Sequence, residues 1–111
     1  MSDWRAAGTI ERFPEDEPVG VEFEVGDRRL NLAVIRRGDT CHAVVDQCPH
    51  RGAPFSELGL VDDEGHLVCG WHFWSFRLSD GCHTLIPDVR VCAYATKVEE
   101  GQLLVDVEAP R

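Results

Sequence analysis

Apolar and polar residues alternate with period two along most of this chain, and helical spacing is nearly absent. Val19-Gly20-Val21-Glu22-Phe23-Glu24-Val25 alternates cleanly, Gly26-Asp27 interrupts it, and Arg29-Leu30-Asn31-Leu32-Ala33-Val34-Ile35 follows, which predicts a hairpin. Gly38-Asp39 marks a second turn before a third strand, Cys41-His42-Ala43-Val44-Val45. His66-Leu67-Val68-Cys69 reads as a further strand, and residues 73–78 as the next, turned by Asp80-Gly81. Residues 91–98 and 103–107 make a last hairpin around Glu100-Gly101. Between Val45 and His66 the chain carries Gly52, Pro54, Gly59 and Gly65, so it reads as mostly loop with a helical turn near Ser56-Glu57-Leu58. The pattern predicts an all-β chain.

With 111 residues the chain suffices for one domain that buries roughly two thirds of its unfolded surface. Apolar residues make up 43% and charged residues 28%, and no apolar run approaches the ~20 residues of a membrane span. Met1-Ser2-Asp3-Trp4-Arg5 does not open a secretory signal, so a cytoplasmic setting and no membrane partner are expected. The formal charge of −9 argues against nucleic acid, whose phosphates call for clustered Lys and Arg, and suits a basic protein partner. The count of 5 cysteines is odd and they are scattered, unlike the framework of a small secreted domain, so disulfide stapling is disfavoured.

The candidate chemistry lies in two short clusters, Cys48-Pro49-His50 and Cys69-Gly70-Trp71-His72, each joining one sulfur to one imidazole. Two such turns facing each other make a four-ligand site. On spacing alone a Cys2His2 zinc site remains open. Many zinc modules pair Cys with Cys and His with His, however, whereas here each loop supplies one of each. That mixture suits two metal atoms, one held by sulfur and one by nitrogen, as in mixed-ligand 2Fe-2S centres. A nucleophilic Cys48–His50 pair would leave the second cluster unexplained.

Cys48-Pro49-His50-Arg51-Gly52-Ala53-Pro54, followed by Cys69-Gly70-Trp71-His72-Phe73-Trp74-Ser75-Phe76-Arg77-Leu78-Ser79-Asp80-Gly81, resembles the two-box pattern of the Rieske ferredoxins and of the Rieske domains of oxygenases. The likeness runs from about residue 3 to residue 107, and includes Ile86-Pro87, Tyr94 and Gly101. It implies one domain over residues 1–111: a sandwich or partial barrel of antiparallel strands with a cluster-binding subdomain inserted at about residues 46–84. It also implies one Rieske-type [2Fe-2S] cluster per chain, with Cys48 and Cys69 on one iron and His50 and His72 on the other. Pro87 resembles the proline of the loop that covers the cluster. Two positions depart from the family: Gly70 stands where Pro is frequent, and Phe73 where Gly often follows the second histidine.

The high-potential members bridge the boxes with an extra disulfide, at positions filled here by Ala53 and Trp71, and place a serine hydroxyl where this chain has Trp74. Fewer hydrogen bonds to sulfur place the expected potential near the low end of the Rieske range, around −150 mV.

The resemblance therefore implies a soluble Rieske ferredoxin and not an enzyme. It would have no catalytic residue and no small-molecule substrate of its own, and would carry single electrons from a flavin-dependent ferredoxin reductase to a terminal oxygenase, for instance a ring-hydroxylating dioxygenase. Glu57 with Asp62, Asp63 and Glu64 would steer basic partner surfaces. Two alternatives keep the sequence but change the role: the small Rieske subunit of an assimilatory nitrite reductase, and a zinc-stabilised binding module. Cys41 and Cys92 fall within strand patterns as small apolar residues, Cys82 and His83 are poorly placed to ligate together, and His42 and His66 read as strand or surface positions.

Overall fold

A computed structural model describes residues 2–49, 52–70, 73–86 and 88–110. Among these, nine strands lie in two antiparallel sheets. The larger is six-stranded, in the order β1 (Trp4–Thr9), β9 (Gln102–Pro110), β8 (Ala93–Glu99), β4 (Thr40–Val45), β3 (Arg28–Arg37), β2 (Val19–Val25). The smaller is three-stranded, β5 (Gly59–Val61), β6 (His66–Cys69) and β7 (Ser75–Arg77), and a single helical turn, α1 (Phe55–Leu58), precedes it. The all-β expectation holds, and the helical turn falls where proline and glycine punctuate the chain. No described helix is long and apolar enough to cross a membrane.

The large sheet curls until its edges β1 and β2 approach each other. They do not pair; the Arg5 guanidinium of β1 spans the seam and donates to the Glu24 carbonyl at 2.9 Å. Inside the curl lies one core, built from alternate residues of each strand: Val21 and Phe23 of β2, Leu32 and Val34 of β3, Leu103 and Val105 of β9. Phe13, fully buried, closes it from the chain that follows β1.

The other face of β3 and β4 is covered as well. Ala33, Ile35 and Val44 pack against Phe55, Leu67 and Phe76 in a second core beneath the small sheet. This double burial is why residues 32–35 of β3 are apolar without a break, while β2, with one face in water, alternates. The predicted β2–β3 hairpin forms with Val25 opposite Arg28, leaving Gly26-Asp27 as a two-residue loop. The 102–110 strand returns through Glu100-Gly101, as expected.

Three expectations are corrected. The strand foreseen at 73–78 is confined to Ser75–Arg77, because Phe73 turns the chain with φ 58°. The last hairpin begins at Ala93 and not at 91. Strands β1 and β5 were not foreseen; β5, three residues long, is defined by pairing to β6, Gly59 with Cys69 and Val61 with Leu67.

Candidate metal centre

The first box hangs from the end of β4. The Val45 N–H donates to the Cys92 carbonyl at 2.8 Å and the Asp46 N–H to the Asn31 carbonyl at 2.9 Å, so the chain remains tied to the large sheet until two residues before Cys48. A tight turn follows: the Cys48 N–H donates to the Ala53 carbonyl at 2.8 Å, and the Gly52 N–H to the Cys48 carbonyl at 2.7 Å. Gly52 has φ 76°, a conformation that costs glycine little.

The second box repeats this turn at the end of β6. The Cys69 N–H donates to the Trp74 carbonyl at 2.8 Å, and the Phe73 N–H to the Cys69 carbonyl at 2.9 Å. Each cysteine thus bonds to the residue five positions on and accepts from the residue four positions on. Both boxes are one backbone motif presented from two sheets. Phe73 occupies the position of Gly52, with φ 58° and 73% of its surface exposed, so its ring leaves the protein and contributes nothing to the core.

Gly70 meets a separate constraint. Its N–H donates to the Leu58 carbonyl at 2.8 Å, and a Cβ at this position would lie 2.4 Å from that same oxygen. Proline, frequent here in the family, could supply neither the hydrogen nor the clearance. Leu58 ends α1, which ties the segment between the boxes to the second box. The other end of α1 is tied to the first: Asp46 accepts the Ser56 N–H at 2.8 Å and the Ser56 hydroxyl at 2.5 Å, capping the turn from outside it.

Cys48 and Cys69 are buried, 1% and 4% exposed, and belong to the same second core with Phe55 and Phe76. No disulfide joins the cysteines among the described residues. Ala53, at the place of a family bridge cysteine, is buried in that core too. His50 and His72 lie outside the described residues, as do Trp71 and Pro87. The donor chemistry of the described boxes fits a sulfur-bound iron: two buried thiols of one core, on matched turns, one from each sheet.

Around the boxes the polar groups have local partners. Asp62, first of the acidic triplet, accepts the N–H groups of Glu64 at 3.0 Å and His66 at 2.9 Å, and these bonds, that to His66 foremost, hold its carboxyl below the usual carboxylate range. The His66 ring lies 3.6 Å from Glu64. Asp80 caps the turn beyond β7, accepting from the Cys82 N–H at 2.9 Å and from Arg77 at 2.7 Å, and the Cys82 bond chiefly lowers its pKa. Cys41 packs in the first core, where burial pushes its thiol up, and Cys92 packs against that core. Asp46 and His83 are the structural residues that sequence patterning missed; the bonds that define them have no spacing signature, because partner and side chain are set by the turn they close.

The family model for the Rieske [2Fe-2S] domain matches residues 3–100. Pheophorbide a oxygenase of Arabidopsis thaliana is 37% identical over 92% of this chain, which spans only 21% of that protein's length. The ferredoxin component of the alkene monooxygenase system of Xanthobacter autotrophicus is 30% identical, with 78% of this chain and 68% of that one covered. Among solved structures, a protein described as the small subunit of an NADH-dependent nitrite reductase from Mycobacterium tuberculosis superposes with a TM-score of 0.86 at 28% identity, covering 98% of each chain.

Proposed function

Because the chain belongs to the Rieske [2Fe-2S] domain family, we propose that Cys48 and Cys69 hold one iron of its Rieske-type cluster and His50 and His72 the other, making the chain a one-electron carrier. The observation that carries this reading is the repeated turn, which sets two buried cysteines at equivalent points of two loops from different sheets. When bound, the cluster supplies reversible one-electron chemistry, in the Rieske range of about −150 to +300 mV. The residues supply the rest. Cys48 and Cys69 keep the thiolate side in the dry second core, away from water. His50 and His72, two and three residues beyond their cysteines in the chain, would supply the imidazoles for the other iron.

In this reading residues 1–111 are one domain, with about residues 46–84 as the cluster-binding subdomain, acting in the cytoplasm. Electrons come from a flavin-dependent ferredoxin reductase and pass to a terminal oxygenase; no substrate, nucleic acid or membrane is bound. The similarity to a monooxygenase ferredoxin component along most of both chains supports this role. Reduction of the purified holoprotein, followed by low-temperature electron spin resonance, tests it: the signal of mixed nitrogen and sulfur ligation is expected, and it should vanish in Cys48→Ser and in Cys69→Ser. A colourless protein carrying a single zinc ion would overturn it.

One observation favours a second reading. The coverage of 98% in both directions supports a nitrite reductase small subunit. A stable stoichiometric complex with a nitrite-reducing large subunit would select it, whereas transient reduction by a small flavoprotein selects the ferredoxin.

A further inference from the structure

His83 is 7% exposed, and it and Asp106 are the buried polar side chains among the described residues. Its Nδ1 accepts two backbone donors, the N–H of Leu85 at 3.0 Å and that of Ile86 at 3.1 Å. A ring nitrogen that accepts twice carries no hydrogen, so the imidazole is the neutral form protonated at Nε2. Two aromatic rings pack against it, both nearly perpendicular to its plane: Trp74 with centroids 5.0 Å apart and Phe76 at 5.4 Å.

The backbone around it closes on itself. The His83 N–H donates to the Val89 carbonyl at 2.8 Å, the Val89 N–H to the Ile86 carbonyl at 2.9 Å, and the Thr84 N–H to the Ser75 carbonyl at 2.9 Å. Leu85 and Ile86, on this segment, are 84% and 45% exposed, so their side chains contribute little burial to hold it. An aliphatic residue at position 83 would fill the space between Trp74 and Phe76, but would leave the Leu85 and Ile86 N–H groups without their acceptor. The imidazole therefore does what packing alone cannot. Its neighbour Trp74 is also the residue whose carbonyl receives the Cys69 N–H.

We propose that His83 is a positioning residue of the electron-transfer site: it fixes the chain at Leu85 and Ile86 against the second box, through Trp74. This rests on the second box being a ligand loop. The test is amide hydrogen exchange of the holoprotein, read by mass spectrometry over residues 84–86, with the cluster's midpoint potential measured alongside. In His83→Leu the Leu85 and Ile86 amides should exchange at least about tenfold faster, while β3 and β4 are unchanged, and the potential should be displaced. In His83→Asn, whose Oδ1 stands in for Nδ1, both should return toward wild type. Unchanged exchange in His83→Leu, equally fast exchange in His83→Asn, or one potential for all three proteins overturns the proposal. Should His83→Leu not fold, wild-type Leu85 and Ile86 amides that exchange as fast as unbonded exposed ones overturn it equally. A wild-type protein lacking the mixed-ligand resonance signal would fail the electron-carrier reading instead, and the exchange comparison would still judge the role of His83 as acceptor.

Discussion

Gly52 and Phe73 are equivalent residues of two copies of one turn: each stands four positions after its cysteine, each has a positive φ, 76° and 58°, and each donates its N–H to that cysteine's carbonyl, at 2.7 and 2.9 Å. The turn demands a left-handed residue, and only one copy has the residue type suited to it. The second copy maintains its geometry against a local preference, so the surrounding contacts of β6, α1 and Trp74 must hold it.

Phe73→Gly should therefore stabilise the protein. A left-handed non-glycine residue costs ~1–2 kcal/mol, and glycine's extra freedom in the unfolded chain takes back about 0.5–1, leaving a net gain of about 0.5–1 kcal/mol. The ring is 73% exposed, so little burial is lost. Denaturant unfolding of the holoprotein checks this; a lower midpoint in Phe73→Gly would refute it.

Gly70→Ala should do the reverse. The new methyl would meet the Leu58 carbonyl oxygen at 2.4 Å, backbone that no rotamer can move aside. A cost of about 1–3 kcal/mol is expected, with fewer iron atoms retained per chain because the distortion falls next to Cys69. Iron analysis of purified protein reads the second effect directly.

Removing the Asp46 carboxylate should loosen α1 without touching either core. Asp46→Ala leaves the Ser56 N–H and hydroxyl without their acceptor, costing about 1–2 kcal/mol, whereas Asp46→Asn, which keeps one acceptor oxygen, should cost less. An Asp46→Ala variant as stable as wild type in denaturant unfolding would show that the cap contributes nothing.

Acid should weaken the fold through carboxylates that the native backbone holds ionised. Asp106, buried opposite Trp4, accepts the Asp3 N–H at 3.0 Å and the Glu108 N–H at 3.2 Å, and the Asp3 bond chiefly lowers its pKa from 3.8. A carboxyl depressed by folding contributes its full stability above the unfolded value, and loses it as pH falls through the lower folded value. Asp62 and Asp80 act in the same direction. Asp106→Asn should be less stable than wild type at pH 7, and the difference should shrink as pH falls below about 4. A difference independent of pH, measured by unfolding at several pH values, would contradict this.

Much of the fold was legible in the pattern of the chain. Strand β2 was readable because a face in water forces alternation, β3 and β4 because they are runs of β-forming apolar residues, and all three because two-residue turns of glycine and aspartate separate them. β1 was not, since Ala6-Ala7-Gly8 offers little contrast between faces, nor was β5, which exists by virtue of its partner β6. Of the candidate site, Cys48 and Cys69 were visible as motif residues, and the departures at Gly70 and Phe73 marked two positions where the backbone is constrained, one by a close carbonyl and one by a positive φ. Asp46 and His83 were hidden because their partners, Ser56 and the Leu85 and Ile86 amides, are fixed by turns whose closure no periodicity encodes.

The strand β3 is the shared wall of both cores, and its residues address them by parity. Even-numbered Leu32 and Val34 look into the curled sheet; odd-numbered Ala33 and Ile35 look toward the thiols. A redesign could thus stiffen the scaffold by editing one set of side chains while leaving the surroundings of the iron as they are, or retune those surroundings through the other set, from within four consecutive codons.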